Sequence, residues 1–336
     1  MIKTDDIIIA HCKNATTRHM ATSGGIGSII LQELFRTERI KSAISYKFDK
    51  DTLQYYPVII SNASEYTPTG SIYHEIKLLD FIKKNISNIE SPFFCFALPC
   101  QVAPIKNMLE KRGIKSFIAE LTCSSQQSHE ATQYLIKRAG IDSNDIEHIK
   151  YRGDGWPGGV TIALKDGRNI FFDNNNSLWN KIFHSQLFIM QRCFFCSAVK
   201  PTESDIKLAD PWGIDNPNIE KEGNTLCHVK SENASIILNE IINKGGIEYN
   251  KCDKSRFYIS QMGTIVRKNF NLLHPWITKQ TRNILQSKKY KNCILQNNAL
   301  FTLHCVLYKL LLKILHKIAK ITNKKEITNT QNRISQ

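Results

Sequence analysis

A chain of 336 residues with 42% hydrophobic content can bury a substantial core, which excludes a disordered polymer. Its ten cysteines follow a polar start, Met1 to Asp6, and an apolar run, Ile7-Ile8-Ile9-Ala10, too short for a cleavable leader, so free thiols and metal ligands in the cytoplasm are expected rather than disulfides. The net charge of +15 is concentrated: fourteen basic residues and no Asp or Glu lie between Ser255 and Lys325, against 31 basic and 30 acidic residues elsewhere, so only that region calls for an acidic partner.

Asp6 to His11 reads as a short strand, and a polar run leads from it into Ser23-Gly24-Gly25. Ile26, Ile29, Ile30, Leu34 and Phe35 follow at helical spacing, so the Ser-Gly-Gly opens a helix. Free backbone N–H groups beside two residues without side chains suit a phosphate or pyrophosphate there, and the plainer reading is a helix cap with a glycine turn. Ser42 to Ser61 patterns as strand, Thr67 to Ser71 as a turn, and Tyr73 to Ile86 as a helix. Phe93-Phe94-Cys95-Phe96-Ala97 predicts a buried strand that ends at Leu98-Pro99-Cys100-Gln101, with a helix through Ile105, Met108 and Leu109 behind it. Phe117 to Leu121 repeats the arrangement and delivers Cys123 ahead of a helix through Ala131, Tyr134 and Leu135. Cys100 and Cys123 are thereby expected at the C-terminal crests of neighbouring strands, where α/β folds bind ligands.

Tyr151 to Gly159 is a glycine-dense loop carrying Arg152 and Trp156, suited to a flat anionic ligand or to a plain turn. Val160 to Leu164 and Asn169 to Phe172 predict a hairpin around Lys165-Asp166-Gly167. Arg192 to Gly213 then contributes Cys193 and Cys196, three positions apart, and closes on Asp210-Pro211-Trp212-Gly213. Four thiols, Cys100, Cys123, Cys193 and Cys196, can meet in one centre and fit either structural zinc or a cubane iron-sulfur cluster. Cys12, Cys95, Cys227, Cys252, Cys293 and Cys305 read as core or surface thiols.

Over residues 299–321, Leu300, Leu303, Leu307, Leu310, Leu311, Ile314, Leu315, Ile318 and Ile321 gather opposite Lys309, Lys313, His316, Lys317 and Lys320. Such an amphipathic helix either packs its leucine face on protein or lies in the interface of an anionic membrane, and the residues beyond it are expected to be disordered. No nucleic-acid motif accompanies the basic residues, so no nucleic-acid partner is expected. The elements together predict an α/β fold, with α+β as the alternative: a mixed sheet with helices on its faces and a site at the strand crests. The expected division is residues 1–255 and a basic helical region, residues 256–336.

Ser23-Gly24-Gly25, Gly70-Ser71-Ile72-Tyr73, Leu98-Pro99-Cys100-Gln101, Leu121-Thr122-Cys123, Arg152 with Gly155-Trp156, Cys193-x-x-Cys196 and Asp205-Ile206-x-x-Ala209-Asp210-x-Trp212-Gly213 occur in one order. That ordered set, over roughly residues 7 to 250, resembles the beta-subunit family of coenzyme F420 hydrogenases and dehydrogenases. The resemblance implies an oxidoreductase carrying FAD beside a [4Fe-4S] cluster, with Cys100, Cys123, Cys193 and Cys196 as cluster ligands. Ser23, Gly24, Gly25, Arg152, Trp156 and Asp210 are the flavin-site candidates. Related proteins of surface-polysaccharide gene clusters imply a small or sugar-linked substrate and a place in the cytoplasm or on the inner face of the cell membrane. Many relatives begin with a ferredoxin-like domain that these residues lack, so electrons are expected from a separate protein such as a ferredoxin. Two local departures stand out: Ala97-Leu98 replaces the family's Gly-Thr, and Cys123-Ser124-Ser125 replaces its Cys-His-Gly.

Overall fold

The computed structural model describes residues 1–175, 177–197, 202–214, 220–311, 313, 314 and 317. Its first elements are β1 (Ile7–Cys12), α1 (Ala15–Met20), α2 (Ile26–Arg36), β2 (Ser42–Asp49), β3 (Gln54–Ile60) and α3 (Leu78–Lys84). The thiol-bearing units follow as β4 (Phe93–Ala97), α4 (Pro99–Glu110), β5 (Ser116–Leu121) and α5 (Glu130–Arg138). Next come β6 (Ile146–Lys150), β7 (Gly159–Leu164), β8 (Asn169–Asp173), α6 (Leu178–His184), α7 (Gln191–Phe194), β9 (Ile206–Ala209), β10 (Thr225–Val229), α8 (Glu232–Asn243) and β11 (Ile247–Cys252). The chain then turns helical through α9 (Lys254–Leu273), α10 (Pro275–Leu285), α11 (Lys288–Gln296) and residues 298–311.

Eight strands form a mixed sheet in the order β11-β1-β10-β9-β5-β4-β2-β3, and β6-β7-β8 form a smaller antiparallel one. β2, β4, β5 and β9 run parallel to one another, and β4, covered on both faces, is a continuous apolar run. One face is covered by α2 and α8 through residues such as Ile30, Leu34, Ile237 and Leu238. The other is covered by α3 and α4 through Ile82, Val102, Ile105 and Leu109. A separate core surrounds the small sheet, built on Tyr151, Ile162, Trp179, Phe188 and Phe301. The fold is α/β, with helices on both faces of a mixed sheet.

Most predicted elements fall within a residue or two of their expected limits. The helix expected from Tyr73 starts instead at Leu78. Tyr73, His74 and Glu75 are extended because the Gln127 backbone pairs with them, its N–H donating to the Tyr73 carbonyl at 2.9 Å and its carbonyl accepting from the Glu75 N–H at 2.9 Å.

Strand direction decides where the site sits. β10 is antiparallel to both β9 and β1, so β1 points the same way as β9, β5 and β4. The C-terminal ends of β1, β9, β5 and β4 therefore share one sheet edge, and the segments that follow them carry Ser23–Gly25, Asp210, Cys123 and Cys100.

Candidate functional site

Two groups of side chains occupy this edge. In the first, Cys100 stands in the opening turn of α4, which starts with Pro99 and is capped by Gln101 reaching back to the Leu98 N–H at 2.9 Å. Cys123 lies just past β5, in a segment tied to β9 by the Thr122 N–H donating to the Leu208 carbonyl at 2.8 Å. Cys193 is buried in the single turn of α7, and Cys196 follows it half-buried. The four expected thiols lie close enough for their charges to interact.

Burial pushes the Cys123 thiol up to about 12, and Lys268 opposes that shift more than any other neighbour. Cys100 and Cys193 are raised chiefly by desolvation as well, with Arg192 and Lys268 pulling the other way. Free thiols in this setting stay protonated at neutral pH, so a metal centre held here displaces protons as it forms. Among the described residues, no three His, Cys, Asp or Glu side chains form a ready group for a single metal ion.

The second group is one strand away. Arg152, only 3% exposed at its side chain, pairs with Asp210 at 2.8 Å and donates to the Thr22 carbonyl at 3.1 Å. Asp210 also accepts from the Trp156 indole N–H at 3.3 Å. The Trp156 and Trp212 rings lie 5.2 Å apart, and the Arg152 guanidinium stands over Trp212 at 5.6 Å. Burial works against the Arg152 charge, but the Asp210 carboxylate and the Tyr73 hydroxyl outweigh it and hold the guanidinium above its ordinary range. Arg152 Nε is buried without a hydrogen-bond partner, an orphan donor in an otherwise satisfied cluster. Arg152, Trp156 and Asp210 are thus brought together from a loop before β7 and the crest of β9.

Ser23, Gly24 and Gly25 border this group, but the glycines serve the fold. A Cβ on Gly24 would collide with the Ala10 carbonyl and stand 2.6 Å from the Thr225 N, so this residue is bare because the β1 and β10 backbones press against it. Gly25 caps α2 in the left-handed region at φ +75°. Ser23 bonds the Thr225 hydroxyl at 3.2 Å.

Helix α9 joins the two groups. Gln261 donates to the Asp210 carbonyl at 3.0 Å, and seven residues later Lys268 donates to the Cys123 carbonyl at 2.7 Å. At 1.5 Å rise per residue the two contacts are about 10 Å apart along the helix. Arg267 donates to the Ser124 carbonyl at 2.5 Å and Asn271 to the Phe194 carbonyl at 3.0 Å, so α9 holds both thiol-bearing loops. The expected division at residues 255 and 256 falls at the start of this helix, which packs on the site. The sequence signal for Arg267 and Lys268 was read only as tail charge. Arg192, beside Cys193, spans to Glu75 at 2.5 Å and Gln126 at 2.7 Å and lines a cavity of about 360 Å³ with Ser128, Glu130, Met190 and Lys291.

Strand crests bearing a thiol group and a buried arginine-aromatic group define an α/β protein with a candidate site at one sheet edge. The chain belongs to the coenzyme F420 hydrogenase/dehydrogenase beta-subunit family. The N-terminal part of that family matches residues 7–83 and its C-terminal part residues 93–255. Hydrogenases and dehydrogenases are oxidoreductases. A chain of the F420-reducing [NiFe] hydrogenase complex from Methanosarcina barkeri, from a xenon-derivatized structure, shares the fold at a TM-score of 0.57 and 14% identity, over 81% of this chain and 93% of that one. No curated protein sequence matches. Residues 256–336, with most of α9, lie beyond both family matches.

Proposed function

We propose that this protein is a flavin- and iron-sulfur-dependent reductase. Cys100, Cys123, Cys193 and Cys196 would hold a [4Fe-4S] cluster, and Arg152, Trp156 and Asp210, bordered by Ser23–Gly25, would hold FAD. The observation that carries this reading is that the two groups occupy neighbouring strand crests and that one helix, α9, touches both through Gln261 and Lys268. The donor set fits the cluster in kind: four thiols from three segments lie near enough to interact electrostatically, with a buried lysine among their neighbours. The orphan Arg152 Nε and the paired indoles fit a flat anionic cofactor.

A bound flavin would supply the exchange between two-electron and one-electron chemistry. The chain's own contribution is to fix the thiol loops through α9, to keep Arg152 charged and oriented through Asp210, and to exclude water behind Trp156. The polar cavity beside Arg192 and Lys291 suits a small or sugar-linked substrate. Electrons would come from a separate carrier such as a ferredoxin, and the substrate from surface-polysaccharide synthesis.

The peripheral membrane reading rests on residues 298–311. Phe301 and His304 are buried against the second core, while Leu303, Leu307 and Leu310 are each about half exposed on a different face, beside exposed Lys309 and Lys313. Leu315, His316, Ile318, Lys320 and Ile321, also assigned to this helix from sequence, lie outside the described residues. No described helix is long and apolar enough to cross a membrane.

Replacing the four thiols one at a time tests the cluster assignment. Cys100→Ser, Cys123→Ser, Cys193→Ser and Cys196→Ser should each lower iron and sulfide content, and Cys95→Ser and Cys305→Ser should not. Full iron loading in the Cys100 or Cys193 variant would remove the assignment.

A further inference from the structure

We propose that Lys268 is the charge-compensating residue of the four-thiol centre and sets how easily that centre is reduced, an inference that rests on the cluster reading above. Lys268 is 2% exposed, and its ammonium points at the crest of β5, 2.7 Å from the Cys123 carbonyl. Among the described residues no carboxylate lies within ion-pair distance of it. A buried ammonium hydrogen-bonded to one carbonyl is several kcal/mol out of balance unless a negative charge stands nearby. The groups at that position which can carry negative charge are thiols.

The neighbouring cations are placed differently. Arg192 pairs with Glu75 and Gln126, and half of its side chain is in water. Arg267 donates to the Ser124 carbonyl. Lys268 is the more deeply buried of the two cations without a carboxylate partner, 2% exposed against 8% for Arg267, and it bonds the backbone of Cys123 itself, so its charge is the one that an anionic centre would feel most through low-dielectric surroundings. A cubane core of charge two plus held by four thiolates is a dianion, and it becomes a trianion when it takes one electron from a reductant. A fixed cation favours the more negative state, so Lys268 raises the reduction potential of the centre. Lys268 and most of α9 lie beyond the residues that match the family.

The test is an anaerobic redox titration with dithionite as the electron donor, followed by electron paramagnetic resonance, on the full-length wild type, Lys268→Met and Lys268→Arg, with iron and sulfide measured on each. Methionine keeps the length and burial of the side chain and removes the charge; arginine keeps the charge. The expected result is equal iron content, a more negative potential in Lys268→Met, and a potential near wild type in Lys268→Arg. If Lys268→Met loses the cluster, retention in Lys268→Arg still supports the charge role. An unchanged potential in Lys268→Met, an equal shift in both variants, or loss of iron from both would overturn the proposal. Wild type without iron and sulfide would instead end the cluster reading itself, which that separate measurement identifies.

Discussion

Asp210→Asn removes one charge from the most buried ion pair at the site and leaves the shape of the side chain. Arg152 is 3% exposed and Asp210 15%, so the guanidinium cannot turn to water when its partner is neutralised. It keeps the Thr22 carbonyl, while the bonds at 2.8 and 3.4 Å to the two Asp210 oxygens lose their charge assistance. Breaking a buried pair from one side costs about 3–5 kcal/mol, and the residual exposure of Asp210 argues for the lower end. At roughly 2 °C per kcal/mol for a chain of this size, the thermal midpoint should fall by about 6 °C. Arg152→Met with Asp210→Leu should recover much of that loss, because no uncompensated charge remains buried. Differential scanning fluorimetry of the single and double variants measures both effects. A midpoint for Asp210→Asn within about 1 °C of wild type would refute the reasoning, since no buried charge would then depend on Asp210.

Gly24→Val should lower folding yield and cluster content together, because its side chain would meet the β1 and β10 backbones; selective loss of flavin with the thermal midpoint intact would restore a direct cofactor role for Gly24. Burial lowers the His74 pKa to about 4, and the neutral ring accepts the Tyr55 N–H at 2.9 Å. An unfolded histidine binds its proton below about 6.5, so the stability from His74 is complete above that pH and is lost as pH falls from 6.5 toward 4, by roughly 3 kcal/mol. Urea titrations at both ends of that window should show a smaller decline for His74→Gln, and equal declines would contradict the assignment. Full-length protein should float with anionic and not with neutral vesicles at low salt, and Leu303→Gln with Leu307→Gln should abolish flotation without lowering the thermal midpoint. Flotation that survives this pair would point to a protein partner for that face.

The parallel core was legible because β4 and β5 are continuous apolar runs ended by proline or polar residues, which fixed Cys100 and Cys123 at neighbouring crests. The arrangement of Arg152 against Asp210 was legible only as two candidates in order, since their separation of 58 positions is closed by the sheet and not by any local pattern. Helix α9 was visible as an element, but its role was not. A lysine destined for a buried site looks like any other in a basic run, and only its 2% exposure separates Lys268 from the solvent-facing lysines around it. The glycines carry a second constraint that no local pattern shows: Ser23-Gly24-Gly25 has the look of a phosphate turn, and the bare face of Gly24 also meets backbone from β1 and β10, strands about 200 residues apart. In the last helix the leucines dominate the pattern, and they hide the face of Leu300, Phe301 and Tyr308 that packs on the second core.

The central claim is that one sheet edge holds a cluster and a flavin side by side. An absorption spectrum of anaerobically purified full-length protein, with iron, sulfide and flavin analysis on the same sample, tests it most directly. The account predicts a brown protein with about four iron and four sulfide per chain, bleached by dithionite, and a flavin released on denaturation. A colourless preparation containing about one zinc per chain and no flavin would contradict it and make the four thiols a structural zinc site.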